Sequence, residues 1–458
     1  MTLDRREFLK LAGAQAGALL AGTACASAAP ASRDRGFGAA LTGPAPDVAV
    51  IGAGAFGGWT ALHLRRLGVR TALVDAFGPG NSRASSGDET RGVRSSYGER
   101  ATWVRWAKEA MVRWARWDEE WDRPFHLRLF FTTGDLILRP DWEPWLTDTR
   151  ANWDKLGAKY EVLTIDEVRY RYPQIDPQGM TVAVVEPDAG VVRARRACEV
   201  VAEAFRQAGG EIVIERVELG DRTEGRLNNV VLGTGERLSA GTFVFACGPW
   251  LPKVLPEVMA NRLRTPLGHV FYLGPPPGDD RFSYPNMPSW NVPGITGWPA
   301  LPPDARGFRV RTGGRPPEDP DFSQRWVDPS EFQRLRTFLA ERFPLLLNAP
   351  LLETRACHYE ASVDRDFIVD RCPGFDNVWI AGGGSAEGFK FGPVVGEYIA
   401  QRVAGKHTDP ALDQEFRLKD ETFEDQPPRV AAGQGATRFT LAAPRGSGRC
   451  EPAPWEVP

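Results

Sequence analysis

Residues 47–77 read "DVAVIGAGAFGGWTALHLRRLGVRTALVDAF", and this stretch decides the fold. An unbroken apolar run, Val48 to Ile51, passes straight into Gly52-x-Gly54-x-x-Gly57; a helical stretch follows, and a second apolar run closes on Asp75. The glycines permit a tight turn and let a pyrophosphate approach a helix N-terminus, while an acid 18 residues beyond Gly57 suits a ribose hydroxyl. Alone, such a glycine triplet is a weak signal. With a strand before it, a helix after it and an acid ending the next strand, it predicts a dinucleotide held by Gly52, Gly54, Gly57 and Asp75.

Further pieces of the same α/β pattern recur far along the chain. A helix is expected near Ala194–Gln207, "TFVFACGPW" (242–250) reads as a buried strand ending in Gly248, and "NVWIAGGGSAEGFKFGPVVGEYIAQRVAG" (377–405) reads as strand, glycine turn and helix. Between them lie a hairpin in "RLFFTTGDLILR" (128–139), a Thr-capped helix in "TIDEVRYRYPQI" (164–175) and two strand-like pieces, "EIVIERVEL" and "NNVVLG". A Pro/Gly/Trp-rich section with strands runs from Pro266 to Pro320, and a helix follows at Glu331–Arg342. The expected fold class is α/β with α+β character: a Rossmann-type cofactor domain from residues 46–125, 190–255 and 355–408, and an inserted β-rich substrate domain from 126–189 and 256–354. Residues 409–458 read as a polar Pro/Gly-rich tail outside the core. The tryptophan stripe of "ATWVRWAKEAMVRWARWDEEW" (Trp103, Trp106, Trp114, Trp117, Trp121, with Met111) has helical spacing and reads as packed core.

Composition narrows the function classes. The 458 residues are 42% hydrophobic and 25% charged, enough for a sizeable core. A net charge of −3, from 56 basic and 59 acidic side chains, offers no broad basic surface for nucleic acid. The N-terminus carries Arg5-Arg6 ahead of a short Gly/Ala/Leu run ending in Ala26-Ser27-Ala28, so residues 1–28 read as a twin-arginine-type signal, and the mature protein as periplasmic or secreted. That run is too short to span a bilayer. Cys25 sits in a weak lipobox-like position, with Gly22 in place of an aliphatic residue. Removing it leaves Cys198, Cys247, Cys357, Cys372 and Cys450, an odd number with no C-x-x-C. Five scattered histidines likewise give no metal-ligand spacing.

Taken in order, the fingerprint, "GDETRGVRSSYGE" (87–99), "VFACGPW", "ACHYEASVDRDFIVD" (356–370) and "GFKFGPVVGE" (388–397) resemble the D-amino-acid-oxidase-like flavoproteins, and within them the monomeric sarcosine oxidase and N-methyltryptophan oxidase group. The resemblance implies FAD, a monomer, and a covalent bond from Cys357 to the flavin 8-methyl group. A thiolate is a common side-chain nucleophile suited to that bond. It also implies that Arg94 and Lys390 hold a substrate carboxylate, that Arg91 lies near the flavin, and that Tyr359 lines the pocket. Gly388 and Phe389 lie in the motif that carries Lys390 to the flavin. The implied reaction is hydride transfer from the carbon beside a neutral amine to flavin N5, giving an imine, with oxygen as acceptor.

Three departures bear on substrate and acceptor. Arg309 stands where the family places an oxygen-activating lysine, which makes a dehydrogenase with a quinone or other acceptor a second reading. Glu387 replaces a histidine, a carboxylate that repels an anionic substrate or pairs with a cationic one. Thr296 stands where a pocket tyrosine is expected, beside Trp298, and Gly313 where a pocket histidine is expected. Two other readings are weaker. A non-catalytic FAD-binding protein would not keep Arg94, Lys390 and Cys357, and a nicotinamide-dependent dehydrogenase would leave Cys357 and "GFKF" without a role.

Overall fold

Short apolar runs flanked by glycine turns become the strands of a six-stranded sheet, ordered Ile368–Arg371, Val378–Gly382, Thr242–Phe245, Val48–Ile51, Thr71–Asp75 and Glu211–Ile214. All neighbours are parallel except the edge strand Ile368–Arg371. Such strands are continuous apolar runs because both faces of the sheet are covered. In this computed structural model, which describes residues 43–125 and 127–424, helices Ala55–Arg66, Ala101–Phe125, Ala194–Gln207 and Gly392–Val403 contribute to one apolar core beside the sheet. Val217–Leu219, Asn229–Leu232 and Arg237–Ser239 form a three-stranded sheet that contributes to a second core. The expected tryptophan stripe and Thr cap appear where the sequence put them. Trp103, Trp106, Met111, Trp114 and Trp117 are buried, and Thr164 caps Ile165–Arg171 through a reciprocal bond with Glu167. The side chain of Trp121 lies outside the described residues.

The second large element is an eight-stranded sheet, ordered Leu351–His358, Leu267–Leu273, Phe308–Arg315, Ile295–Trp298, Ser289–Val292, Asp135–Arg139, Val182–Glu186 and Glu161–Leu163. Along Phe308–Arg315 the side chains alternate. Phe308 and Val310 join a core with Leu335, Phe338 and Leu339 of helix Pro329–Arg342, so Arg309 and Arg311 share the opposite face.

Four expectations need correction. "RLFFTTGDLILR" is not a hairpin: Phe130–Phe131 pairs with Gly190–Val192, while Asp135–Arg139 pairs with Val182–Glu186 and Ser289–Val292. A turn-like Thr-Thr-Gly there moves the chain between sheets instead of folding it back. "EIVIERVEL" is two strands in different sheets, Glu211–Ile214 and Val217–Leu219. The segment break drawn at 354/355 falls inside strand Leu351–His358, which belongs wholly to the eight-stranded sheet. The chain after 409 is not all outside the core, because Pro410–Glu415 is helical and Phe416 is fully buried against Trp106, Phe367 and Tyr398. The signal-like residues 1–28, Cys25, Cys450 and the tail beyond 424 lie outside the described residues. Among the described residues no helix is long and apolar enough to cross a membrane.

Candidate active site

The two large sheets meet across a cavity of about 650 Å³, within the range of small-molecule sites. One end is the glycine turn. Gly52 has φ +108°, and a Cβ there would lie 2.3 Å from the Ala246 carbonyl oxygen; a Cβ on Gly57 would lie 1.8 Å from the carbonyl oxygen of Gly52. Gly57 therefore shapes the turn without lining the cavity, whereas Gly52, Gly54 and Asp75 line it. Helix Ala55–Arg66 has no side-chain cap from its N-cap, Gly54; its Ala55 N–H donates to Ser86 Oγ at 3.2 Å, and the rest of the first turn is the kind of end that suits an anion. Asp75 is fixed by the Ala53 and Phe77 N–H groups, which donate to its carboxylate at 2.8 and 2.9 Å.

Cys357 lies further in, on strand Leu351–His358, paired in register with Gly268 and lining the cavity as a free thiol. Burial raises its pKa, and the nearby Asp88 raises it further; Arg91, Arg355 and Arg309 pull the other way without reversing the shift. The next residue, His358, turns its ring away from the cavity's thiol, binding the Thr265 carbonyl and Ser323 instead. Cys198 and Cys372 are buried and free. Cys247 lines the cavity, and its thiol donates to the Ile51 carbonyl at 3.5 Å.

Asp88, within the "GDETR" segment, was not singled out by the sequence, yet it organises the middle of the cavity. It is fully buried, accepts from Arg91, accepts from Arg309 Nη2 at 2.9 Å and from the Tyr272 hydroxyl at 3.1 Å. Burial alone would lift its carboxyl, but Arg91 and Arg309 outweigh burial and hold it well below the usual carboxylate range. The Arg309 guanidinium stacks on Trp298 at 3.9 Å, and Trp298 is itself tied to Thr90. Arg309 Nε and Nη1 are buried without a hydrogen-bond partner.

At the far end, the expected pair Arg94 and Lys390 does converge, but an internal carboxylate bridges it. Lys390 Nζ donates to Glu387 Oε2 at 2.5 Å, Arg94 Nη2 donates to Glu387 Oε1 at 3.2 Å, and the Tyr97 hydroxyl donates to Glu387 Oε2 at 3.1 Å. Burial would raise the Glu387 carboxyl, yet Arg94 and Lys390, with Arg311 behind them, hold it far below its ordinary value. Burial lowers the Lys390 ammonium to about 8 even with Glu387 beside it. The turn delivering Glu387 is strained: Ser385 and Ala386 adopt φ of +46° and +66°, in the left-handed region. Behind it, Gly388–Phe391 forms a 3-10 turn anchored by Trp114 Nε1, which donates to the Lys390 carbonyl at 2.8 Å, while Phe389 stacks on Trp114. Gly388, Phe389, Tyr359 and Thr296 all line the cavity.

Two lining groups escaped the sequence reading. Arg311, on the cavity face of its strand, forms no hydrogen bond or ion pair among the described residues; its guanidinium lies 5.9 Å from the Tyr359 ring centre. Glu360 accepts the Gly384 N–H at 3.1 Å, leaves Oε2 without a partner, and is raised by burial to about 7. Among the described residues no cluster of His, Cys, Asp and Glu is arranged to hold a metal ion.

A glycine turn at a helix N-terminus, an acid at the end of the second strand, and a deep cavity with unpartnered buried donors define a dinucleotide-binding site. The residues present fit FAD. The FAD dependent oxidoreductase (DAO) family matches residues 47–402, and the chain belongs to it. Monomeric sarcosine oxidase of Bacillus sp. (strain B-0618) is 29% identical over 369 residues, covering 78% of this chain and 91% of that protein. N-methyl-L-tryptophan oxidase of Salmonella arizonae (strain ATCC BAA-731 / CDC346-86 / RSK2980) is 26% identical over 388 residues, 81% of this chain and 98% of that one. The fold is shared with glycine oxidase from Bacillus cereus ATCC 14579, at TM-score 0.67, 19% identity and coverage of 82% and 99%. L-proline dehydrogenase from P. horikoshii superposes with TM-score 0.70 at 18% identity, with the same coverage. The chain is thus an FAD-dependent amine or amino-acid oxidoreductase in class.

Proposed function

We propose that this protein oxidises a secondary or primary amine bound between Cys357 and the Arg94–Glu387–Lys390 cluster. The observation that carries the reading is one continuous cavity lined at one end by Gly52, Gly54 and Asp75 and at the other by Arg94, Glu387 and Lys390. FAD, when bound, supplies the two-electron acceptor for the hydride on the carbon beside nitrogen, and the resulting imine hydrolyses in water. The chain's own groups bias the amine toward its reactive neutral form. Arg94, Lys390 and Arg311 line the substrate end with Glu387 between them, Asp135 and Glu186 acting on Arg94 from outside the cavity lining, and the cations disfavour an ammonium beside them. Aromatic walls, buried Trp298 and half-buried Tyr359 among them, orient the amine and exclude water.

Cys357 is the tether in this reading, bonded through sulfur to the flavin. Cys357 would hold the flavin at its 8-methyl carbon, which gives up a proton while two electrons pass through the flavin to the acceptor; Arg91, Arg355 and Arg309 favour the thiolate, and burial with Asp88 leaves the free thiol's pKa raised. Oxygen is the acceptor in the first reading, with Arg309 standing in the place of the family lysine. The second reading, a non-oxygen acceptor, is favoured by one observation: the Arg309 charge is shared with buried Asp88 and its planar head is held on Trp298. The export signal in residues 1–28 would place either activity outside the cytoplasm. Reduced holoenzyme mixed separately with air and with an artificial quinone distinguishes the acceptors. Rapid re-oxidation with peroxide formation supports oxygen; re-oxidation by the quinone alone supports the dehydrogenase.

A further inference from the structure

We propose that Arg311 is the substrate's anion anchor, and that the substrate is an amine whose negative charge lies several bonds from the oxidised carbon instead of on it. This rests on the amine-oxidation reading above and names the substrate class for that site.

Two independent observations lead there. The first is that the place for a carboxylate adjacent to the amine is already filled. Glu387 takes donors from Lys390, Arg94 and Tyr97, and a strained turn at Ser385 and Ala386 holds it there. A substrate carboxylate entering the same place would meet a fixed negative charge whose cations are already engaged, and like charges in a buried site repel strongly. The second is that Arg311 is a cation in the same cavity with no hydrogen bond or ion pair among the described residues; the Glu387 charge, already engaged by Arg94 and Lys390, reaches it only at longer range. Its neighbours on the same sheet face are accounted for: Arg309 is bonded to Asp88, and Gly313, the next residue on that face, has no side chain. Across the sheet, Gly268 faces the guanidinium, and a Cβ there would lie 3.4 Å from Arg311 Nη2.

Burial, followed by neighbouring charges that only partly compensate, lowers the Arg311 pKa; an arginine nevertheless stays charged in a protein. A half-buried, partly compensated cation facing a cavity is stabilised when a partner arrives, and an anionic group on the ligand is the partner this geometry admits. The guanidinium lines the cavity with its centre 5.9 Å from the Tyr359 ring centre, and a planar carboxylate, or two oxygens of a sulfonate or phosphonate, matches its fork. Arg311 therefore selects among amines by their distal group. Glu387 rejects those carrying the acid on the oxidised carbon.

The test uses the purified holoprotein and butanoate as an unreactive anionic probe, with binding measured by calorimetry in wild type, Arg311→Gln and Arg311→Lys. Arg311 bonds no other described residue, so the Gln variant leaves no protein partner stranded; its melting temperature and flavin content check that it is folded. The expected result is saturable binding to wild type, weakened about ten- to a hundredfold by R311Q, the worth of a charge-assisted hydrogen bond, and partly restored by R311K. In parallel, the preference for 4-(methylamino)butanoate over N-methylbutylamine in flavin bleaching falls by about tenfold or more in R311Q. No saturable butanoate binding, or binding that R311Q leaves intact, overturns the proposal. So does a preference for N-methylglycine that is insensitive to Arg311, because the carboxylate would then have displaced Glu387 from Arg94 and Lys390. Butanoate binding that depends on Arg311 in a holoprotein whose flavin no amine bleaches would support the anchor and overturn the amine-oxidation reading.

Discussion

Replacing Glu387 by Gln removes the negative charge that bridges Lys390 and Arg94 while keeping an amide oxygen of nearly the same shape. In the wild type those two cations donate to Glu387 at 2.5 and 3.2 Å, so a substrate carboxylate gains neither. Each charge-assisted hydrogen bond contributes roughly 1.5–3 kcal/mol. A carboxylate that took over both in the variant would gain at least about 3 kcal/mol, less what the competing amide retains, or roughly ten- to a hundredfold in affinity. Without Glu387, Lys390 loses the largest influence that raises its pKa and drops below about 8, so the gain should be measured on the acid side of neutrality. The assay is the anaerobic reduction rate of the flavin against N-methylglycine concentration, from which the apparent dissociation constant follows. Affinity for N-methylglycine that is unchanged or weaker in E387Q would refute the reasoning that Glu387 stands in for the substrate's acid.

Other outcomes follow from the same geometry. Asp88→Asn strands Arg91 and Arg309 in the interior and should destabilise the protein by about 3–5 kcal/mol in denaturant unfolding. The Glu387 carboxyl is depressed from its ordinary 4.5, so its stabilisation is full above pH 4.5 and is lost as pH falls through the lower folded-state value; E387Q should flatten that acid limb of melting temperature against pH. Cys357→Ser should release the flavin on acid precipitation, whereas wild type keeps it with the polypeptide. Gly57→Ala places a methyl group 1.8 Å from the Gly52 carbonyl oxygen and should abolish FAD retention, read by the flavin-to-protein absorbance ratio.

The cofactor half of the site was legible because its signal is local: strand, Gly52-x-Gly54-x-x-Gly57, helix and Asp75 lie within about thirty residues and follow backbone constraints that admit few substitutes. The convergence of Arg94 and Lys390 was legible only through the resemblance, since 296 positions separate them. What the sequence hid was pairing. Nothing in "GDETR" says that Asp88 serves Arg309 on a distant strand, and nothing in "SAEGFK" says that Glu387 turns back onto Lys390 three residues later. Arg311 could have been found: alternation along "FRVRTGG" puts it on the face of Arg309, and a second arginine toward a ligand cavity invites the question of its partner. The 128–139 segment misled because its Thr-Thr-Gly turn is compatible with a hairpin, and only the partners available in each sheet decided otherwise.

The most direct test of the account is anaerobic mixing of the purified protein with a panel of secondary and primary amines while the flavin absorbance is recorded. The account predicts a yellow protein whose flavin band is bleached by an amine with a distal acid and returns when an acceptor is added. A protein that takes up no FAD, or whose bound flavin no amine reduces, would contradict it.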